Sequence, residues 1–185
     1  VASDLDPAVI TGQTALAVAP ADTDEFLISD AGTLKRLDAS LIGGGKVLQT
    51  IVTNSTQVNQ DISSGSFTDI TGMTASITPS STSSKILIFG NIYAAFESNE
   101  GFGLQIVRTI GGSATNLRTT SNAEYAYFYD GSGTIAATQS PVFTVDTPNS
   151  TSECTYKWQV ITAGTVKFQN QGRSYSSFNL LEIGA

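Results

Sequence analysis

The sequence predicts an all-β fold, an antiparallel sandwich or jelly roll, and three observations predict it. Apolar or alternating stretches, about ten of them, recur with Gly, Pro, Asn and Ser turn signals at intervals of roughly 8–14 residues. Hydrophobic residues make up 40% of the 185 residues and charged residues only 14%, against about 25% in an average globular protein; Ser, Thr, Asn, Gln and Gly fill the difference. The longest nearly unbroken apolar run is Lys85–Phe96, KILIFGNIYAAF, whose Ile, Leu, Phe and Tyr suit a pleated, covered surface. Without polar alternation, both faces of that run should be covered. Its length would also suit a helix, but the Gly90-Asn91 pair and the Thr/Ser run before it oppose one. It reads as a central strand.

In chain order, residues 1–45 stand apart as an N-terminal connector, rich in Asp and containing Pro7 and Pro20. Within it, Glu25–Ser29 and Thr33–Asp38 flank Asp30-Ala31-Gly32, the pattern of a hairpin. Leu41-Ile42 could begin a short helix or strand, and Gly43-Gly44-Gly45 reads as a hinge. No heptads are present, so a coiled-coil stalk is not expected. Residues 46–185 form the main domain. Strands are expected at Lys46–Asn54, Val58–Ile62, Phe67–Ile70 and Met73–Thr78, the last two separated by Thr71-Gly72, where a bulge or tight bend is expected. Met73, Ala75 and Ile77 then share one face. After Lys85–Phe96 come Phe102–Ile110, Asn116–Thr120, Tyr125–Tyr129, Ile135–Val145, Cys154–Ile161, Val166–Phe168 and Ser177–Ile183.

The totals exclude several function classes. A net charge of −7 with nine basic residues opposes a nucleic-acid partner. No apolar run approaches the roughly 20 residues that span a bilayer, so membrane insertion is not expected. No basic segment precedes an apolar one, so no signal peptide is expected; the start at Val1 rather than Met suggests processing or a longer parent chain. With one cysteine, Cys154, no intrachain disulfide can form, and stability must come from packing or oligomerisation. With no histidine, Ser-His-Asp and Cys-His catalysis and His-ligated zinc are ruled out. No phosphate loop occurs, no lysine sits in a motif, and no carboxylate pair is singled out for glycoside hydrolysis. A non-enzyme without cofactor or metal is the expectation.

The run Ser66–Ile88, SFTDITGMTASITPSSTSSKILI, resembles a module of tail-fibre and other virion-appendage proteins of tailed bacteriophages. There a strand pair reading D-[IV]-T-G-[LM]-x-x-S-I-T-P-x-S-x-S-S-K-I-L precedes a jelly-roll head. TGQTAL and ADTDEFLISDAGTLKRLDASLI resemble the short β-units joined upstream of such heads. Phe178–Ile183 and the length of residues 46–185 are similar to the TNF/C1q-like jelly roll, although Phe178-Asn179-Leu180-Leu181 departs from its usual Phe-x-Gly-Phe ending. The resemblance implies a homotrimer on the exterior of a phage particle. Residues 1–44 would attach to other virion proteins, and loops at the far end of the head would recognise a host-surface glycan or protein. The alternative it leaves is a capsid decoration or head fibre with a purely structural role. The trimer also has a warrant in the residues: a central strand apolar on both sides needs cover that one sandwich does not supply. Ile86, Ile88, Ile92, Tyr93, Phe96, Phe178 and Leu180 are the expected trimer interface.

The candidate receptor-binding residues are Tyr127, Tyr129, Asp130, Arg173 and Tyr175. Tyr125, Tyr127 and Tyr129 would share one strand face, which suits either a carbohydrate-stacking platform or packing at an interface. Asp130-Gly131-Ser132-Gly133 is a turn or a receptor-facing loop, and Arg173 and Tyr175 lie in a polar loop. Trp158 reads as a strand core or interface residue. Arg108 and Arg118 are expected to pair with acidic neighbours. Asp22, Asp24, Glu25 and Asp30 either hold a hard cation or form a solvated acidic connector. Two glycosylation sequons, Asn54-Ser55-Thr56 and Asn149-Ser150-Thr151, are accidental in a phage protein.

Overall fold

The computed structural model describes residues 12, 14, 20–21, 23–42, 47–54, 59–96, 99–119, 126–128, 136–168 and 176–184. The chain divides into two units, Val1–Gly44 and Gly45–Ala185.

In the first unit, β1 (Glu25–Asp30) and β2 (Thr33–Asp38) pair antiparallel from Glu25↔Asp38 to Asp30↔Thr33. Ala31 and Gly32 join them at φ 49° and 83°. Both central residues are left-handed, as a two-residue hairpin turn that follows the strand twist requires. Asp38 accepts from the Ser40 amide at 2.9 Å and so starts a 3-10 turn, Ala39–Leu41. Glu25 pairs with Arg36 at 2.9 Å and Asp30 with Lys35, so these two carboxylates are engaged in ion pairs. No residue of the hairpin is buried.

The second unit holds β3 (Val47–Asn54), β4 (Gln60–Ile62), β5 (Thr68–Ile77), β6 (Lys85–Phe96), β7 (Glu100–Ile110), β8 (Ser113–Thr119), β9 (Ala126–Phe128), β10 (Ala136–Asp146), β11 (Cys154–Ala163), β12 (Val166–Phe168) and β13 (Ser177–Ile183). One sheet runs β3-β13-β6-β12-β4, with β10 on the other edge of β6. The second runs β5-β11-β7-β8, with β9 on β7. Successive strands cross between sheets from β4 to β5 to β6 to β7 and from β9 to β10 to β11 to β12, as in a jelly-roll sandwich. All pairings are antiparallel among the described residues, and none of these forms an α-helix.

The expected central strand is β6. It pairs with β10 along one edge and with β13 and then β12 along the other. Beyond β10 no described strand follows, and Pro141 sits within it. An edge strand tolerates a residue with no amide hydrogen. The expected break at Thr71-Gly72 is an irregularity within one strand: Lys157 faces Thr74 and Gln159 faces Asp69, so residues 70–73 oppose Trp158 alone. Gly72 turns the backbone there with φ 81°. As a result both Ile70 and Met73 point inward and are buried with Ala75 and Ile77.

The core between the sheets centres on the alternation in β11, where Cys154, Tyr156, Trp158 and Val160 are fully buried. Trp158 packs on Phe178 with ring centroids 4.7 Å apart, and Phe102 meets Phe168 edge-on at 5.3 Å. Ile86, Ile88, Ile92, Phe96, Phe178 and Leu180 belong to this same core. They were expected at a trimer interface, but their own chain covers them. Alternation along β6 turns them inward, and the side of the strand that meets the outside carries Leu87 and Phe89 instead. Tyr93 is buried as well, and its amide donates to Ser176 Oγ at 2.9 Å.

Candidate functional site

Tyr129, Asp130, Arg173 and Tyr175 lie outside the described residues. For Tyr127 the backbone is placed, opposite Gly101 in the β9–β7 pair. The surfaces that can be built from described residues are the two outward faces of the sandwich, and their chemistry differs.

On the first sheet, strand register arranges outward residues in rows across β3, β13, β6 and β10. Thr50, Leu181, Leu87 and Val145 form one row; Val52, Asn179, Phe89 and Phe143 form the next; and Asn54, Ser177, Asn91 and Pro141 form a polar third. Val47 and Ile183 continue the patch toward the strand ends. Val52 remains 64% exposed, Phe143 59% and Val145 52%. Isolated exposed apolar residues are ordinary, but a contiguous patch of them marks a contact surface.

The outward face of the second sheet is polar. Ser76 and Thr155 share a hydroxyl bond of 2.8 Å. Asp69 accepts from Lys157 Nζ at 3.0 Å and Gln159 Nε2 at 2.6 Å, and Gln159 Oε1 accepts from Gln105 at 2.9 Å. Partial burial would raise the Asp69 pKa, but the bonds from Gln159 and Lys157 outweigh it and hold the carboxyl below its ordinary value.

Two buried polar clusters brace this framework. Glu182, fully buried on β13, accepts from Gln49 Nε2 at 2.5 Å and from the Ser80 amide, Ser80 Oγ and Ser84 Oγ, each at 2.7 Å. Burial alone would raise its pKa; the bonds from Gln49, Ser84 and Ser80 overcome that and bring it down to about 2. The serine-rich run TPSSTSSK is therefore more than a polar turn, because it folds two serines onto a buried carboxylate. In the second cluster Asp146 accepts from Arg108 at 2.9 Å and from the Tyr156 hydroxyl at 2.7 Å, tying β10 of one sheet to β7 and β11 of the other. Burial, then the bond to Asp146, raises the Tyr156 pKa. Arg108 thus has the acidic partner expected for it, and Arg118 donates to the Phe143 carbonyl at 3.2 Å. The sequence reading missed Glu182 and Asp146; only the clustering of serines ahead of Lys85 hinted at a need for local donors. No group of three or more potential metal ligands occurs among the described residues.

No protein-family model matches the sequence, and no curated protein matches it. Among solved structures, the crystal structure of the infectious bursal disease virus VP2 subviral particle is similar to it with a TM-score of 0.46 and 14% identity. That similarity covers 84% of this chain and 36% of the other. The structure of the infectious bursal disease virus Gx strain is similar with a TM-score of 0.43 and 14% identity, over 99% of this chain and 50% of that one.

Proposed function

We propose that this chain is a structural protein of a virus particle: a homotrimeric exterior appendage of a tailed phage whose head recognises the host cell surface. The observation that carries this reading is the contrast between the two outward faces: one bears a patch of exposed apolar residues across β3, β13, β6 and β10, the other is mainly polar. A second copy on the apolar face would remove it from water, and threefold closure would do so for every copy. The likeness of Ser66–Ile88 to the phage appendage module supports the viral assignment. Residues 1–44 would join the head to other virion proteins. A lone two-stranded hairpin is marginal in water, which fits a segment completed by what it attaches to. Three copies would bind a host glycan or protein together, so each site can be weak while the whole holds.

Antibody labelling of virions tests this. Label on a tail or fibre, together with inhibition of adsorption by the purified protein, is the expected result. Label spread over the capsid shell with no effect on adsorption would support a purely structural decoration instead.

A further inference from the structure

A strand at the end of a sheet presents unpaired amides and carbonyls, and natural sheets blunt such edges with Pro, bulges, charges or very short strands. In the second unit, the described edges other than β3 carry these devices. On β10, Pro141 has no amide hydrogen, and Arg118 of the other sheet donates to the carbonyl of Phe143, two residues on. On β5, the backbone is irregular at Gly72, and the Gln60 side chain covers it. Gln60 Nε2 donates to the Asp69 carbonyl at 3.0 Å, and its Oε1 accepts from the Thr71 amide at 2.8 Å. On β8, Leu117 is an extra residue between Asn116 and Arg118, which face Val107 and Ile106. β4 and β9 are three residues long.

The β3 edge has none of these from Gln49 to Asn54. This run, QTIVTN, holds no charge, no Pro and no Gly. Its register with β13 is regular, from Gln49↔Glu182 to Asn54↔Ser177, and no described strand lies beyond it. None of its residues is buried, although Phe178, Leu180 and Glu182 of the adjacent β13 are. The open edge is about 20 Å long, and Thr, Ile and Val favour strands.

We propose that β3 is an interaction edge, and that its partner is β3 of a second copy, paired antiparallel about a twofold axis at Ile51. A run without charge offers nothing to select a charged partner. It is also complementary to itself. With Ile51 opposite its own counterpart, Thr50 meets Val52 and Gln49 meets Thr53, so outward residues stay outward and inward ones inward. The apolar patches of the two copies then meet across the joint, because Val52 belongs to the patch. So short a contact is weak, and it acts between copies already gathered on a particle, where effective concentration is high. It is separate from the trimer, which uses the face of the sheet and not its edge.

Disulfide trapping of the full chain tests this, since native Cys154 is buried and cross-strand partners lie within disulfide reach. Oxidised at high micromolar concentration, Thr50→Cys/Val52→Cys should give a linked dimer in at least tenfold greater yield than Ser113→Cys/Thr115→Cys on β8, and equally well with Phe143→Asp added. Absence of the dimer, an equal yield from β8, or loss of the dimer with Phe143→Asp overturns the edge pairing. Amide exchange of the unaltered chain gives a second reading should the cysteine variant fail to fold. Protection of alternate β3 amides should rise at least tenfold from micromolar to millimolar protein, and constant protection overturns the pairing. Protection of β3 on the particle without the cross-link would assign the edge to a strand of another protein and overturn self-pairing. Cross-linking by a protein that scatters as a monomer at micromolar concentration would support the edge and remove the trimer.

Discussion

The indole of Trp158 fills the space a side chain at Gly90 would need. A β-carbon there would lie 2.9 Å from Trp158 Cη2 and 1.9 Å from the Ser177 carbonyl oxygen. Gly90 sits on the inward side of β6, between Val142 of β10 and Phe178 of β13. The glycine that interrupts the apolar run is thus the place where the central strand yields to the largest core side chain. Gly90→Ala should destabilise by about 3 kcal/mol or more, because the backbone of β13 must move. Chemical denaturation would show it; a loss under 1 kcal/mol would contradict the crowding.

Glu182 makes the fold sensitive to acid. Its native pKa is near 2, against an ordinary 4.5. A depressed carboxyl adds stability that is fully present above the unfolded value and lost as pH falls through the native one. Urea midpoints of the wild type should therefore fall between about pH 5 and pH 2 more steeply than those of Glu182→Gln. At neutral pH, Glu182→Ala should cost about 3 kcal/mol, since it strands the Ser80, Ser84 and Gln49 donors. Parallel curves for wild type and Glu182→Gln would show that the clamp contributes nothing to this window.

Asp146 joins the two sheets through Arg108 and Tyr156. Asp146→Asn should destabilise by about 3 kcal/mol because a largely buried guanidinium loses its counter-charge. Tyr156→Phe alone should cost about 1 kcal/mol. The double variant should cost less than the sum, and a double-mutant cycle measures the coupling. Strict additivity would mean that Asp146 and Tyr156 act independently.

The apolar outward face is tested by charge. Phe143→Asp and Val52→Asp, both at exposed positions, should leave the circular dichroism of the strands intact and convert the proposed trimer to monomer in light scattering. Ile88→Asp, by contrast, should abolish folding, since Ile88 is in the core. A wild-type protein that scatters as a monomer at micromolar concentration would remove the trimer.

Much of this architecture was legible in the residues. Alternation at Tyr156, Trp158 and Val160 placed β11, the Asp30-Ala31-Gly32 signal placed the hairpin, and KILIFGNIYAAF gave the central strand with its bounds. Which side of that strand faces the core was not legible. Lys85 and Asn91 share the phase of Leu87 and Phe89, but two polar residues in a run otherwise apolar on both sides mark that phase too weakly to separate Ile88 from Phe89 before the strand acquires neighbours. The same limit hid the polar clusters, because Glu182 lies far along the chain from Ser80 and Asp146 from Arg108.

By itself, then, the sequence determined the strand content, the turns and the absence of histidine chemistry, because these depend on side-chain type and on the short-range period of the chain. Tertiary structure alone decided which apolar residues are core and which are surface, and which polar ones meet. Those follow from register between strands distant in sequence, and a one-residue shift in register exchanges every inside for an outside.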